Sequence, residues 1–84
     1  MNDKEMLIAA AKAAGIEVVT PTMLEYGKWN PLEDDGDALR LAVKLGIDIS
    51  KAQLDYYDKH STDPYGATRR AIVRAAAEIG KAMP

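Results

Sequence analysis

Cysteine and phenylalanine are both absent from this sequence of 84 residues. Without cysteine the chain can form no disulfide, no thiolate metal site and no thiol nucleophile. The absence of disulfides fits a reducing cytoplasm, where such bonds are rare.

Large aromatic side chains are scarce: the chain has one tryptophan and four tyrosines. Nevertheless, 48% of its residues are apolar. Much of the apolar content is alanine. We therefore expect one domain, residues 1–84, with a thin core in which helices approach over alanine faces. Domains of this size bury only about 60–65% of the surface that the unfolded chain exposes. A homodimer with a shared core would relieve that shortage, and it stays open as an alternative.

Long hydrophobic runs and a basic N-terminus are also missing. The first charged residues are Asp3, Lys4 and Glu5, and Lys12 interrupts the apolar run that follows, which is not the pattern of a secretory signal. No stretch approaches the roughly 20 apolar residues that span a bilayer. The sequence predicts a cytoplasmic protein without a membrane segment.

Charge is unevenly distributed along a chain whose net charge is −2. Residues 1–58 contain six Lys and Arg against eleven Asp and Glu, which gives −5. Residues 59–84 contain five against two, which gives +3. The two parts are expected to attract one another, and the alternative is that the basic part binds an acidic partner.

Three helices are predicted from their start and stop signals. Their expected limits are Asn2 or Asp3 to Gly15, Asp34 or Asp35 to Gly46, and an Asp63 N-cap followed by Pro64 to about Met83. Short polar side chains cap the first turns, and glycine is the preferred residue for a left-handed helix end.

The second helix is expected to be central and buried on most sides, because apolar residues cover most of its circumference. These residues are Ala38, Leu39, Leu41, Ala42, Val43 and Leu45. Only Asp37, Arg40 and Lys44 are expected to face solvent. The C-terminal helix is expected to bury one apolar stripe, made of Tyr65, Ile72, Ala76, Ile79 and Met83.

Two short segments with β-branched or alternating apolar residues, 16–20 and 23–29, predict a β-hairpin with a Thr-Pro-Thr connection. Further alternation predicts a third strand within residues 52–58, although Leu54 and Tyr57 also fit one face of a short helix. The order α-β-β-α-β-α predicts an α+β fold, in which the helices pack on one face of a three-stranded antiparallel sheet.

Two polar clusters contain residue types used in catalysis or metal binding. His60-Ser61-Thr62-Asp63 has the components of a hydrolytic triad, but a triad needs side chains that converge from separate rigid elements. The acidic run of residues 33–37 lacks the register and the terminal glutamate of a calcium-binding EF-hand loop. We therefore predict no catalytic, metal-binding or cofactor-binding residues, and interpret Asp34, Asp35 and Asp37 as helix-capping residues.

The only tryptophan, Trp29, precedes Asn30-Pro31, which interrupts regular structure. Trp29 is a candidate partner-binding residue, because tryptophan is enriched among the residues that dominate interface energies. The favoured interpretation is that Trp29 packs under the start of the second helix, where it supplies core volume that alanine cannot.

Arg69 lies close to the centre of the apolar stripe of the C-terminal helix, so its charge needs a partner. The acidic residues Asp34, Asp35 and Asp37 are the expected suppliers. An ion pair between Arg69 and one of them would tie the C-terminal helix to the start of the second helix.

Arg70, Arg74 and Lys81 lie on the opposite side of the same helix and form a basic stripe for binding a partner. A nucleic-acid-associated protein would use such a stripe. This one is short, lacks interleaved aromatic residues and belongs to a chain that is acidic overall, so nucleic-acid binding is the weaker interpretation.

The stretch WNPLEDDGDALRLAVKLGI, residues 29–47, and the later stretch DPYGATRRAIVRAAAEIG, residues 63–80, resemble a family of small uncharacterised proteins encoded by bacteriophages and prophages. Residues 48–62 show no such resemblance. The resemblance implies an accessory protein expressed in a bacterial cytoplasm, and it brings no catalytic residues with it.

The residues and the resemblance together predict a non-enzymatic phage or prophage accessory protein that acts by binding a protein partner, with a second copy of the chain as one candidate partner. The alternative is a small nucleic-acid-associated protein that uses the basic face of the C-terminal helix.

Overall fold

The computed structural model describes residues 2–16 and 29–84, and within these ranges the chain forms four helices. They are α1 (Asp3–Ala13), α2 (Asp35–Leu45), α3 (Ile49–Tyr56) and α4 (Pro64–Ala82). The helices α1, α2 and α4 confirm the three that the sequence predicts.

Each of the four described helices begins at a side-chain cap. An oxygen of Asn2, Asp34, Asp48 and Asp63 accepts a hydrogen bond from the backbone N–H three residues later, at 2.8, 2.7, 3.2 and 3.1 Å respectively. These bonds satisfy amide groups that the first turn of a helix leaves unpaired. The predicted caps at the starts of α1, α2 and α4 are therefore present.

The predicted glycine stops are also confirmed. Gly15 and Gly46 adopt positive φ angles of 73° and 67°, the left-handed conformation that glycine reaches without strain. After Gly46, the Ile47 N–H donates to the carbonyl oxygen of Ala42 at 2.9 Å. This Schellman-type closure turns the chain sharply from α2 into α3.

The C-terminal helix α4 is the centre of the fold, because each of the other three helices packs against it. Its buried residues are mostly small: Ala67, Ala71, Ile72, Val73, Ala76, Ala77 and Gly80. The contact with α1 is tightest at Gly80, where an added Cβ atom would lie 2.7 Å from the carbonyl carbon of Ala9 and would overlap its oxygen. The two helices can approach here only because residue 80 has no side chain.

The described residues form an apolar core cluster built mainly from α1, α2 and α4. Its larger members are Met6, Leu7, Leu32, Leu41, Ile72 and Val73, with alanines between them. The thin, alanine-lined core expected from the composition is therefore what the described residues form.

The predicted α+β fold is wrong. Residues 52–58, predicted as the third strand, fall largely within α3, and the residues described by the structure contain no strand. The predicted β-hairpin lies, apart from its outermost residues Ile16 and Trp29, on residues 17–28, which are outside the described ranges. The described architecture is all-helical, with α1, α2 and α3 arranged around α4.

The prediction that the second helix is central and buried on most sides is also wrong. Its inner residues Ala38, Leu41 and Ala42 are buried, but Leu39 is 55% exposed and Val43 is 73% exposed. The reason is that, among the described helices, α2 packs mainly on α4, which covers one side of it.

The predicted stripe of the C-terminal helix is partly wrong. Ile72 and Ala76 are buried as expected, whereas Tyr65, Ile79 and Met83 are exposed. The α4 helix is covered by three neighbours, so its buried surface is much wider than one stripe and is carried by alanine, valine and glycine.

Candidate functional site

The segment before α2 is anchored by polar contacts rather than left open as a ligand site. The backbone N–H of Asn30 donates to Asp37 Oδ2 at 3.0 Å, and Asn30 Oδ1 accepts from the N–H of Leu32 at 3.1 Å. Pro31 and Leu32 are buried. Trp29 is half-buried and packs against the core, which is the arrangement that the sequence favours for it.

Arg69 joins α4 to the start of α2. Its Nη1 lies 2.6 Å from Asp35 Oδ1, and its Nε donates to the carbonyl oxygen of Leu32 at 2.9 Å. The hydrogen bond to Asp35 raises the pKa of Arg69 above its ordinary value. The side chain of Arg69 is only 15% exposed, so these partners satisfy a charge held at the edge of the core. The contact predicted between Arg69 and the acidic cluster is present.

The other carboxylates of the acidic cluster also have local partners. Asp34 caps α2, and Asp37 Oδ1 accepts from Arg40 Nη2 at 2.6 Å. In the described part of the chain, no group of three acidic or histidine side chains lies close enough together to hold a metal ion. The acidic cluster, Asp34, Asp35 and Asp37, therefore caps the start of α2 and forms ion pairs with Arg40 and Arg69.

The loop with the residue types of a triad is organised around the cap of α4. Ser61 Oγ accepts from the Asp63 N–H at 3.1 Å and donates to the Asp63 carbonyl oxygen at 3.2 Å. Asp63 Oδ1 accepts from the N–H of Gly66. His60 is exposed, and its backbone N–H donates to Asp58. Ser61 and Asp63 thus serve the turn that starts α4, and Asp63 Oδ2 also lies 3.9 Å from Arg69 Nη2.

The basic stripe of α4 is partly neutralised. Arg70 Nη1 and Nη2 donate to the two carboxylate oxygens of Asp3 at 2.8 and 3.2 Å. The hydrogen bond from Arg70 lowers the pKa of Asp3 below its ordinary value, and the same bond raises the pKa of Arg70. Lys81 Nζ lies 3.9 Å from Glu78. Only Arg74 forms no ion pair with the residues that the structure describes, so the stripe is not a continuous cationic surface.

An open cleft of about 720 Å³ lies between α3 and the start of α4, and we call it the outer cleft. Its described lining residues are Ser50, Gln53, Leu54, Tyr57, Lys59, Pro64 and Thr68. Gln53 Nε2 donates to Thr68 Oγ1 at 3.0 Å, which fixes α3 against α4. Leu54 is 86% exposed, the most exposed of the large apolar side chains in the described ranges. Lys59 is the only charged residue among the described lining.

A smaller cleft of about 300 Å³ adjoins the outer cleft, since Thr68 lines both. Its apolar lining comes from α2, α3 and α4 and includes Leu39, Ile49, Tyr65 and Ile72. Leu39 and Val43 are exposed on α2, and Leu39 shares the smaller cleft with the exposed Tyr65 of α4. Together they form an exposed apolar surface. Sequence reasoning assigned Leu39, Val43 and Tyr65 to the core and gave Leu54 no role in binding.

Within residues 2–16 and 29–84 there is no helix of the length and apolarity that crossing a membrane requires. Comparison of the chain with protein-family models, curated proteins and solved structures finds no match.

Proposed function

We propose that the chain is a non-enzymatic protein-binding domain that takes up a partner segment in the outer cleft. The observation that carries the proposal is Leu54, a leucine that projects almost fully into solvent beside an open cleft. Large apolar side chains exposed beside a concave surface are typical of interaction sites.

The lining of the outer cleft defines the chemistry of the partner. Leu54, Tyr57 and Pro64 supply an apolar surface, and Lys59 supplies one positive charge. A matching segment has an apolar anchor side chain with a carboxylate next to it. Tyrosine at the wall suits such contacts, because its ring packs against apolar groups while its hydroxyl remains able to bond to water or to the partner.

We further propose that the protein acts in the cytoplasm of a bacterium as a phage or prophage accessory protein. The support for this is the resemblance of residues 29–47 and 63–80 described above. The alternative is nucleic-acid binding through Arg70, Arg74 and Lys81. It has less support, because Arg70 pairs with Asp3 and Lys81 lies near Glu78, which reduces the positive charge available to phosphates.

The test is a comparison of proteins captured from a bacterial lysate by the immobilised wild-type chain and by two variants. Leu54→Asp places a charge in the outer cleft without touching the core, and Ile8→Asp makes the same change on α1, where Ile8 is 46% exposed. We expect proteins captured by the wild type and by Ile8→Asp to be lost with Leu54→Asp. Identical sets for all three chains would refute the assignment of the outer cleft.

A further inference from the structure

The outward face of α2 has the residue pattern of a two-stranded coiled coil. Leu39 and Val43 are exposed on the side of α2 away from the buried Ala38, Leu41 and Ala42. With Leu39 placed at heptad position d, Val43 falls at a. A β-branched residue at a combined with leucine at d favours two parallel strands.

The flanking residues of this face carry opposite charges at the matching positions. In the same register Asp35 falls at g and Arg40 at e. In a parallel pair, a g residue of one helix lies beside the following e residue of the other, so Asp35 meets Arg40 of the partner and the reverse pair forms by symmetry. The charges of α2 are therefore complementary to those of a second, identical α2.

Both flanking side chains remain available for such contacts. The side chain of Asp35 is 71% exposed, and that of Arg40 is 73% exposed. Within the described residues Asp35 pairs through Oδ1, with Arg69, and Arg40 pairs through Nη2, with Asp37 at 2.6 Å and Asp34 at 3.9 Å. The second oxygen of Asp35 and the second terminal nitrogen of Arg40 are left for a partner.

The residue at the preceding a position is Gly36. An added Cβ atom at Gly36 would lie 3.1 Å from Asp34 and 3.2 Å from Arg40, so these exposed side chains lie over Gly36 and turn outward when a second helix approaches. The chain also has little core of its own, and a second copy that covers Leu39 and Val43 would add buried apolar surface that the monomer lacks.

We infer that the protein forms a symmetric homodimer in which the α2 helices of two copies pack in parallel along Gly36, Leu39 and Val43. Tyr65, 72% exposed and close to Leu39 in the smaller cleft, widens the contact beyond the single heptad that α2 supplies. This inference goes beyond the proposed partner-binding function, because it concerns the exposed face of α2 and not the outer cleft.

Sedimentation equilibrium of the full chain, at loading concentrations from about 1 μM to about 1 mM, measures the dimer directly. We expect Val43→Glu to weaken dimerisation about tenfold or more, because it places two carboxylates in the seam. Arg40→Glu is expected to weaken it too, by facing Asp35 of the partner with a like charge. The control Ile8→Glu, on α1, should dimerise like the wild type, and so should Leu54→Asp in the outer cleft. Circular dichroism checks that each variant is folded.

Disulfide cross-linking tests the parallel arrangement separately. The chain contains no cysteine, so a single introduced cysteine can pair only with its copy in the partner. In a parallel symmetric pair, residue 43 lies next to residue 43 of the partner, so Val43→Cys should form disulfide-linked dimers under mild oxidation, and Ile8→Cys should not. A wild-type chain that is monomeric over the whole range would overturn the inference, and so would a dimer that Val43→Glu leaves intact. Failure of Val43→Cys to cross-link in a chain that dimerises would overturn the parallel packing.

Discussion

The close approach of α1 and α4 at Gly80 predicts how substitution of this glycine changes the stability of the protein. Replacing Gly80 with alanine adds only one methyl group, and in an exposed helix that change stabilises by about 1 kcal/mol. Here the new Cβ atom would overlap the carbonyl oxygen of Ala9, which is a backbone atom and cannot rotate away. The structure therefore predicts that Gly80→Ala destabilises the protein.

The size of the effect follows from what α1 buries. Met6 and Leu7 contribute about 2 kcal/mol each when buried, and each buried alanine methyl contributes about 0.8 kcal/mol, for roughly 6 kcal/mol over the face of α1. Moving α1 outward by a fraction of an ångström would forfeit about a quarter to a half of these contacts. Strain that remains after this movement adds about 1–3 kcal/mol to the loss of stability. The higher helix propensity of alanine reduces the loss by about 1 kcal/mol. The expected net loss is about 1.5–5 kcal/mol.

Urea unfolding at fixed protein concentration, followed by far-UV circular dichroism, measures this loss, and the melting temperature should fall by about 10 °C or more. The matched control is Gly36→Ala. Its added methyl would meet the side-chain ends of Asp34 and Arg40 at 3.1 and 3.2 Å, and these exposed groups can move aside. At a protein concentration low enough for the chain to be monomeric, the control should not lower stability by more than about 0.5 kcal/mol. A Gly80→Ala protein as stable as the wild type would refute the packing of α1 on α4.

Three further variants test other contacts. Arg69→Met should cost about 1–3 kcal/mol in urea unfolding, because it removes the bond to Asp35 and leaves a backbone carbonyl without its donor; an unchanged midpoint would contradict that role. The hydrogen bond from Arg70 lowers the pKa of Asp3 in the folded protein. Their ion pair therefore stabilises the folded state fully above the unfolded-state pKa of Asp3, which is about 4. This contribution is lost as the pH falls through the lower pKa of the folded state. Asp3→Asn should therefore cost less than about 1 kcal/mol at pH 7 and still less at pH 3, and an equal cost at both pH values would contradict the pairing. Gly46→Ala meets no atom within 4 Å but forces a left-handed backbone on alanine, so a loss of about 1 kcal/mol is expected, and a gain would show that α2 ends differently.

The helices that could be predicted are those with strong local signals. Asn2, Asp34 and Asp63 are caps, and Gly15 and Gly46 are stops, because a polar oxygen or a missing Cβ acts within one turn of chain. Such signals do not depend on how the rest of the protein packs, and they located α1, α2 and α4.

Alternating apolar residues predict a strand where the structure has α3, because Ala52, Leu54 and Tyr56 also fit a period of two. Ala52 and Tyr56 are four residues apart and face inward, whereas Leu54 lies on the opposite side and is exposed. The informative signal was Asp48, whose carboxylate caps α3 by accepting from the Lys51 N–H. In a helix of only 8 residues, local signals are weak and tertiary contacts decide the outcome.

The candidate binding surfaces could not be located by periodicity, because the pattern shows which residues share a face and not which face meets a neighbour. Leu39 and Leu41 are both leucines of α2, yet one is 55% exposed and the other 3%. The difference arises because α2 packs mainly on α4. By contrast, the partner of Arg69 could be predicted, because a charge beside the core has few ways to be satisfied.

The pairing of α1 with α4 also has a consequence during synthesis on the ribosome. The helix α1 is synthesised well before α4, its main packing partner, and Asp3 pairs with Arg70 across 67 positions of sequence. Until α4 has left the ribosome, the apolar face of α1 lacks its main native partner and stays exposed in the nascent chain. Chaperone contact with the nascent chain is therefore expected to begin at Met6 and Leu7.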